Sequence, residues 1–248
     1  MELKGKIAVI AGASGGIGRE ISKALAKEGT HVFLVARRED ILEALKRDIE
    51  KKGGKANVYL ADLTNEESVA HLARFVGDNF GKVDILFNTA GIGIYKNFAN
   101  LSYDEWKKSF AVNVDAAFLA IHKLLPLLSK PDQAYVISMG SGMGKVALSG
   151  RSAYCASKFA LRGMMLSFSK EYVNTNIHFI LLTMGSVLTA FGPLSLEEKI
   201  SKQKRGKKYL DPSWLAEHIV TKIKHDTLEP ETPIYPRHYF EESKKDKR

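Results

Sequence analysis

Apolar runs of strand length alternate with longer stretches of helical period along most of this chain, and that alternation limits its folds more than any other feature. Residues 6–11, 31–35, 56–60, 83–87, 134–138, 177–183 and 232–235 read as strands. Between them, 17–28, 40–52, 66–80, 103–128, 152–172 and 212–225 carry helical spacing, with an irregular segment before the last of these. Strand–helix–strand alternation predicts a doubly wound α/β fold: about seven parallel strands with helices on both faces and right-handed crossovers. Such sheets place ligands at the carboxyl ends of the strands, near the reversal in strand order. The residues that follow the strands are therefore the ones to inspect.

Composition fits one body. The 248 residues are 45% apolar and 26% charged, with no Pro/Gly/Ser-rich linker and no internal repeat, so a single domain over 1–248 is expected. Cys155 is the one cysteine, which suits a reducing, cytoplasmic setting. The charged start, Met1 to Lys6, runs straight into a strand and does not resemble a signal peptide. Residues 172–196 lack Asp, Glu, Lys and Arg, but their Asn, Thr, Gly and Pro content favours a buried strand and a loop over a membrane span. The formal charge of +9 is concentrated in Lys202 to Lys208, whereas the tail from Glu241 to Arg248 mixes both signs. A basic run can attract phosphates, nucleic acid or an acidic carrier, or simply be a solvated loop. No groove-entering or base-stacking element accompanies it, and nucleic-acid binding is not expected.

Two motifs carry chemistry. Gly12-Ala13-Ser14-Gly15-Gly16-Ile17-Gly18 links the first strand to the first helix. Glycines permit a tight turn and close approach, and the helix N-terminus offers free N–H groups to a pyrophosphate. Tyr154-Cys155-Ala156-Ser157-Lys158 puts a phenol and an ammonium on one helix face. A nearby ammonium favours the phenolate, which brings the phenol closer to proton exchange at neutral pH. Cys155 points elsewhere and reads as a small apolar residue. The histidines show no metal-ligand spacing, and no metal is expected.

With these motifs in this order, the stretch from Lys6 to about Thr189 resembles the classical short-chain dehydrogenase/reductase family. The resemblance implies a Rossmann-type domain: a cofactor-binding part over about 1–130, a catalytic part over about 131–189 and a substrate lid over about 189–210. It implies Tyr154 as proton donor, Lys158 lowering its pKa and holding a ribose, Ser141 polarising the carbonyl, and Asn113 in a proton relay. Ser138 is the rival to Ser141, but it still belongs to the strand. Asp62 with Leu63 and Asn88-Thr89-Ala90-Gly91 match segments that contact the adenosine side, although Asp62 and Asn88 also suit turns and caps. Gly185, Val187 and Thr189 fit the segment that contacts nicotinamide. Ala11, Thr89 and Met184 depart from the family pattern, and the ending 233–238 lacks the glycine-rich form common in ketoacyl reductases. Family members are usually homodimers or homotetramers, and the resemblance implies the same here, paired through helices around 103–128 and 152–172.

The second strand ends in Ala36-Arg37-Arg38, without the acidic residue that holds a ribose 2′-hydroxyl. Guanidinium matches a 2′-phosphate, so NADP(H) is the expected cofactor, with Ser14 adding a hydrogen bond. Tyr95, Met143 and Phe191 lie in loops that should surround the carbonyl and make a mainly apolar pocket. The expected function is NADPH-dependent reduction of a ketone or aldehyde. A non-catalytic NADPH sensor or scaffold is the alternative.

Overall fold

A computed structural model describes residues 1–239; the mixed-charge tail singled out above lies outside the described residues. Seven parallel strands form one sheet in the order β3-β2-β1-β4-β5-β6-β7. They are β1 (Ile7–Ala11), β2 (His31–Ala36), β3 (Lys55–Leu60), β4 (Ile85–Asn88), β5 (Ala134–Met139), β6 (Ile177–Met184) and β7 (Glu231–Ile234). The helices are α1 (Gly16–Lys27), α2 (Glu39–Lys51), α3 (Glu66–Phe80), α4 (Tyr103–Phe110), α5 (Ala116–Leu128), α6 (Ser152–Glu171), α7 (Leu196–Lys204) and α8 (Pro212–Lys224).

The strands are apolar throughout because both sheet faces are covered. Alternate residues of β1 serve opposite layers. Ala8 and Ile10 pack with Ile21 and Leu25 of α1, Leu42 and Leu45 of α2, and Leu215 and Ile219 of α8. Ile7, Val9 and Ala11 pack with Leu72 and Val76 of α3, Leu124 of α5, and Leu161 and Met165 of α6.

The chain moves outward from β1 to β3, then returns so that β4 pairs with β1, Ala11 opposite Asn88. This reversal opens the crevice at the carboxyl ends of β1 and β4. Asp84, just before β4, ties the opposite end of the sheet. It is fully buried, accepts the Ile7 N–H at 2.9 Å, and pairs with Lys6 at 3.2 Å and Lys82 at 3.0 Å.

Two segments differ from the expectations. The long helical region is α4 and α5 joined by a π-helical turn at Ala111–Asp115, centred on Asn113. Such turns admit one extra residue and often mark functional positions. Tyr103–Leu128 is long and apolar enough to cross a membrane, but Ala116, Ala120, Ile121 and Leu124 belong to the layer beneath the sheet. The expected irregular lid contains α7, opened by a capping box in which Ser195 and Glu198 each accept the other's backbone N–H.

Asp84→Ala leaves the Ile7 N–H without its acceptor and two lysines without their anion. Urea unfolding is expected to show a loss of about 1–3 kcal/mol.

Candidate active site

The crevice is built on close backbone contact. Gly12 has φ +99°, and a Cβ there would lie 2.5 Å from the Ala90 nitrogen. A Cβ on Gly18 would meet the Gly12 carbonyl at 2.5 Å and Thr89 Oγ1 at 2.6 Å. The segment after β4 is pinned to the end of β1. The Ala11 carbonyl accepts the N–H groups of Thr89 and Ala90 at 2.8 and 3.0 Å, and the Thr89 hydroxyl at 2.9 Å. Thr89 thus uses its side chain to fasten the reversal point.

α1 opens at Gly15 with no side-chain cap and no acidic residue in its first turn. By contrast, Asn65, Ser102, Ser195 and Asp211 cap α3, α4, α7 and α8 with their own side chains. Gly15, Gly16, Ile17 and Gly18 therefore present an uncapped, electropositive helix end to the crevice. Arg38 reaches across this loop, Nη2 donating to the Ser14 carbonyl at 3.2 Å. Arg37 is exposed beside Asp62. The Asp62 carboxyl is held below its usual value, first by the Thr64 N–H and hydroxyl and then, against desolvation, by the Arg37 charge. Asp62 therefore shapes an Asx turn, with Leu63 buried behind it. Asn88 is buried and donates to Ser138 Oγ at 3.1 Å. Its Oδ1 is the one buried side-chain polar atom among the described residues without a partner, an acceptor awaiting a donor that the protein does not supply. A bare helix end, a glycine cradle and this orphaned acceptor fit a dinucleotide.

The chemical end lies across the crevice. Tyr154 and Lys158 are both buried, one turn apart on α6. Lys158 Nζ donates to the Met139 carbonyl at 2.8 Å and lies 5.8 Å from the Tyr154 ring centroid. Burial pulls the Lys158 pKa down to about 8. Burial also pushes the Tyr154 phenol well above its ordinary value, helped by the Tyr95 phenol and opposed by a hydrogen bond from Ser141. The sequence assigned the tuning of Tyr154 to Lys158. In this structure the ammonium is turned to Met139, and burial dominates the phenol. Ser141, just past β5, accepts the Met143 N–H at 3.2 Å and faces Tyr154. Ser138 is fully buried within β5 and contacts Met165 Sδ, away from the phenol.

Asn113 has its side chain occupied. Oδ1 accepts the Ile92 N–H at 2.8 Å, and Nδ2 donates to the Ile92 carbonyl and to Ser157 Oγ, both at 3.0 Å. It fastens the π turn to the segment after β4. The missing side chain of Gly91 leaves room for Asn113 Oδ1 and Lys158 Nζ, which would lie 3.2 and 3.8 Å from a Cβ there. Cys155 is buried and free.

Tyr95 meets Tyr154 edge-on with ring centroids 5.4 Å apart, and Phe191 lies 5.8 Å away on the lid. The segment after β6 is tied at its base, where Leu188 N–H donates to the Leu210 carbonyl at 2.9 Å and Leu210 N–H donates to the Ser186 carbonyl at 2.8 Å. Thr189 sits on the glycine loop, its Cγ2 2.7 Å from where a Gly16 Cβ would be. Gly185 is covered by Pro236, whose Cδ would be 2.5 Å from a Cβ, and its N–H donates to the Ile234 carbonyl at 3.0 Å. Met184 lies within β6, paired with Ile234, so it extends the strand where the family pattern has proline.

Two residues at the site escaped the sequence reading. Lys199 of α7 is buried, and its ammonium donates to the Thr189 carbonyl at 2.7 Å and to the Phe191 carbonyl. Arg151 precedes α6, its guanidinium 4.7 Å over the Tyr95 ring. The capping box at Ser195 and Glu198 signalled the helix start near Lys199, but no sequence signal distinguished Lys199 or Arg151 from a solvated cation.

A sequence profile described as short chain dehydrogenase matches residues 6–199. A glycine betaine reductase of Emericella nidulans is 32% identical over 88% of this chain, which spans only 17% of that longer protein. A fatty acyl-CoA reductase of Acinetobacter baylyi is 35% identical over 81% of this chain and 68% of its own length. An alcohol dehydrogenase from Thermococcus sibiricus, solved with 5-hydroxy-NADP, superposes with TM-score 0.80 at 27% identity, covering 94% of this chain and 96% of its own. Solved structures of this fold hold NADP in some cases and NAD in others. An oxidoreductase scaffold with a nicotinamide dinucleotide crevice accounts for the motif order, the sheet and the site together, and the chain belongs to the short-chain dehydrogenase/reductase family.

Proposed function

We propose that this protein is an NADPH-dependent carbonyl reductase, with Tyr154 as the proton donor. The observation that carries this reading is the placing of the buried Tyr154 phenol one helix turn from the buried Lys158 ammonium, 5.8 Å from the ring centroid, with Ser141 facing it just past β5 at the carboxyl end of the sheet. The dinucleotide would lie along Gly12 to Gly18 and Asn88 to Gly91 and supply the hydride. Tyr154 and Ser141 orient the substrate oxygen between two hydroxyls. A phenol whose pKa is raised by burial stays protonated across neutral pH, which suits it to give a proton to a developing alkoxide. Lys158 sets a positive charge beneath the same pocket and is held there by the Met139 carbonyl. Tyr95 and Phe191 exclude water from the phenol.

NADPH oxidation followed against a panel of ketones and aldehydes tests this reading. Tyr154→Phe is expected to lower kcat by about a hundredfold or more. An unchanged rate in that variant would refute the assignment of the proton donor.

Selection of NADPH over NADH rests on Arg37 and Arg38 at the end of β2. Arg38 already lies against the glycine loop, and no acidic side chain stands at Ala36 to hold a ribose hydroxyl. Replacing both arginines by alanine is expected to raise the KM for NADPH by about tenfold or more, with a much smaller change for NADH. Equal effects on the two cofactors would assign the arginines another role.

Lys158 also sets a pH dependence of stability. Its folded pKa of about 8 lies below the ordinary lysine value, so between those two values the folded chain binds fewer protons than the unfolded one. The penalty for burying the ammonium is therefore full below pH 8 and is relieved as pH rises. Relative to Lys158→Met, the wild type is expected to gain about 2–3 kcal/mol between roughly pH 7 and pH 10. Urea unfolding of both proteins at the two pH values measures it.

A further inference from the structure

Arg151 is a cation at this site with no anionic partner among the described residues. Its guanidinium lies over Tyr95, whose ring in turn meets Tyr154. Its one side-chain hydrogen bond among the described residues runs from Nη1 to the Met143 sulfur at 3.5 Å, and a thioether is a weak acceptor. No carboxylate pairs with it among the described residues.

The other basic side chains nearby are engaged. Arg162, further along α6, makes a two-pronged contact with Glu231 at 3.0 and 2.8 Å. Lys145, past the Ser141 turn, reaches the same carboxylate at 2.9 Å. These contacts, Arg162 first, hold the Glu231 carboxyl down to about 2. The family's own chemistry also leaves Arg151 unused, since it lies outside the Ser141–Tyr154–Lys158 group.

We infer that Arg151 recognises a carboxylate on the substrate, and that the substrate is therefore an oxo acid: a carbonyl compound with an apolar body and an anionic end. A guanidinium stacked on an aromatic face keeps its edge donors free, and their spacing matches the two oxygens of a carboxylate. The half-buried position strengthens that contact relative to open water. Met143, at the guanidinium, and Phe191, against Tyr154, supply apolar surroundings. The exposed basic run from Lys202 to Arg205 and on through Lys207, on the lid that carries Phe191, adds a positive field that draws an anion toward the mouth. The inference rests on the reductase reading above for the carbonyl and on Arg151 for the acid.

The test uses the full chain with NADPH and a series of oxo carboxylates, each compared with its methyl ester. Wild type is expected to favour the acid over the ester by about tenfold or more in kcat/KM, chiefly through KM. Arg151→Met, which keeps a long side chain over Tyr95, is expected to bring that ratio near unity. Arg151→Lys, which retains the charge and loses the fork, should keep part of the preference and serves if the methionine variant does not fold. Calorimetric binding of unreactive medium-chain alkanoates to the NADP-loaded protein gives a second readout, which Arg151→Met should abolish. A wild-type preference for esters, or alkanoate binding equal in wild type and variant, overturns the assignment. Turnover of esters without alkanoate binding refutes the anion site and leaves the reductase reading standing. Alkanoate binding that depends on Arg151, with no carbonyl turned over, supports the anion site and refutes the reductase reading.

Discussion

The Ala11 carbonyl is the point on which the rest of the structure hangs. Three donors from Thr89 and Ala90 converge on it, so the end of β1 and the end of β4 are locked together where the strand order reverses. Gly12 and Gly18 can lie against that junction only because they lack side chains. One carbonyl therefore fixes both the width of the crevice and the direction in which α1 presents its bare N–H groups. The departure from the family pattern at position 89 is local in consequence. A threonine hydroxyl binds within the junction and keeps it closed.

Across the crevice burial governs. Tyr154 and Lys158 are both removed from water, and burial moves their pKa values toward the neutral form of each group. A neutral phenol and a weakened ammonium side by side form an arrangement poised to respond to added charge. In the reduction proposed above, a developing negative charge on the substrate oxygen would find a proton on one group and a compensating cation on the other. The Met139 carbonyl keeps that cation at the floor of the site, and the Asn113 clamp on Ile92 keeps the wall above it from moving away.

What the sequence conveyed and what it concealed divide along a physical line. Strands buried on both faces are continuous apolar runs, and their spacing exposed the sheet and its order of elements. The glycine loop and the Tyr154–Lys158 turn were legible because backbone geometry and helix periodicity demand particular residues at particular steps. α7 was hidden by a polar, lysine-rich surface that looks like a loop, although Ser195 and Glu198 carried the signature of its start. Arg151 and Lys199 were hidden for another reason. Each belongs to a residue type that usually faces solvent, and only tertiary contact shows one lying on Tyr95 and the other turned inward to backbone carbonyls. The same holds for the electrostatics of Tyr154. Sequence spacing shows that an ammonium is one turn away, but not that its donor is already directed to Met139.

The segment after β6 joins these two halves. Thr189 rests on the glycine loop and Phe191 on the phenol, so one short segment covers the cofactor end and the chemical end at once. Lys199 holds that segment by its carbonyls, and a buried ammonium is costly unless such acceptors are present. Its pKa is accordingly pulled down by burial. The segment's own hydrogen bonds thus offset the cost of a charge that lies between a solvated basic surface and an apolar interior. The Lys199 ammonium thus ties the carbonyls of Thr189 and Phe191 to one helix, so the residue that rests on the glycine loop and the residue that rests on the phenol are held by a single group.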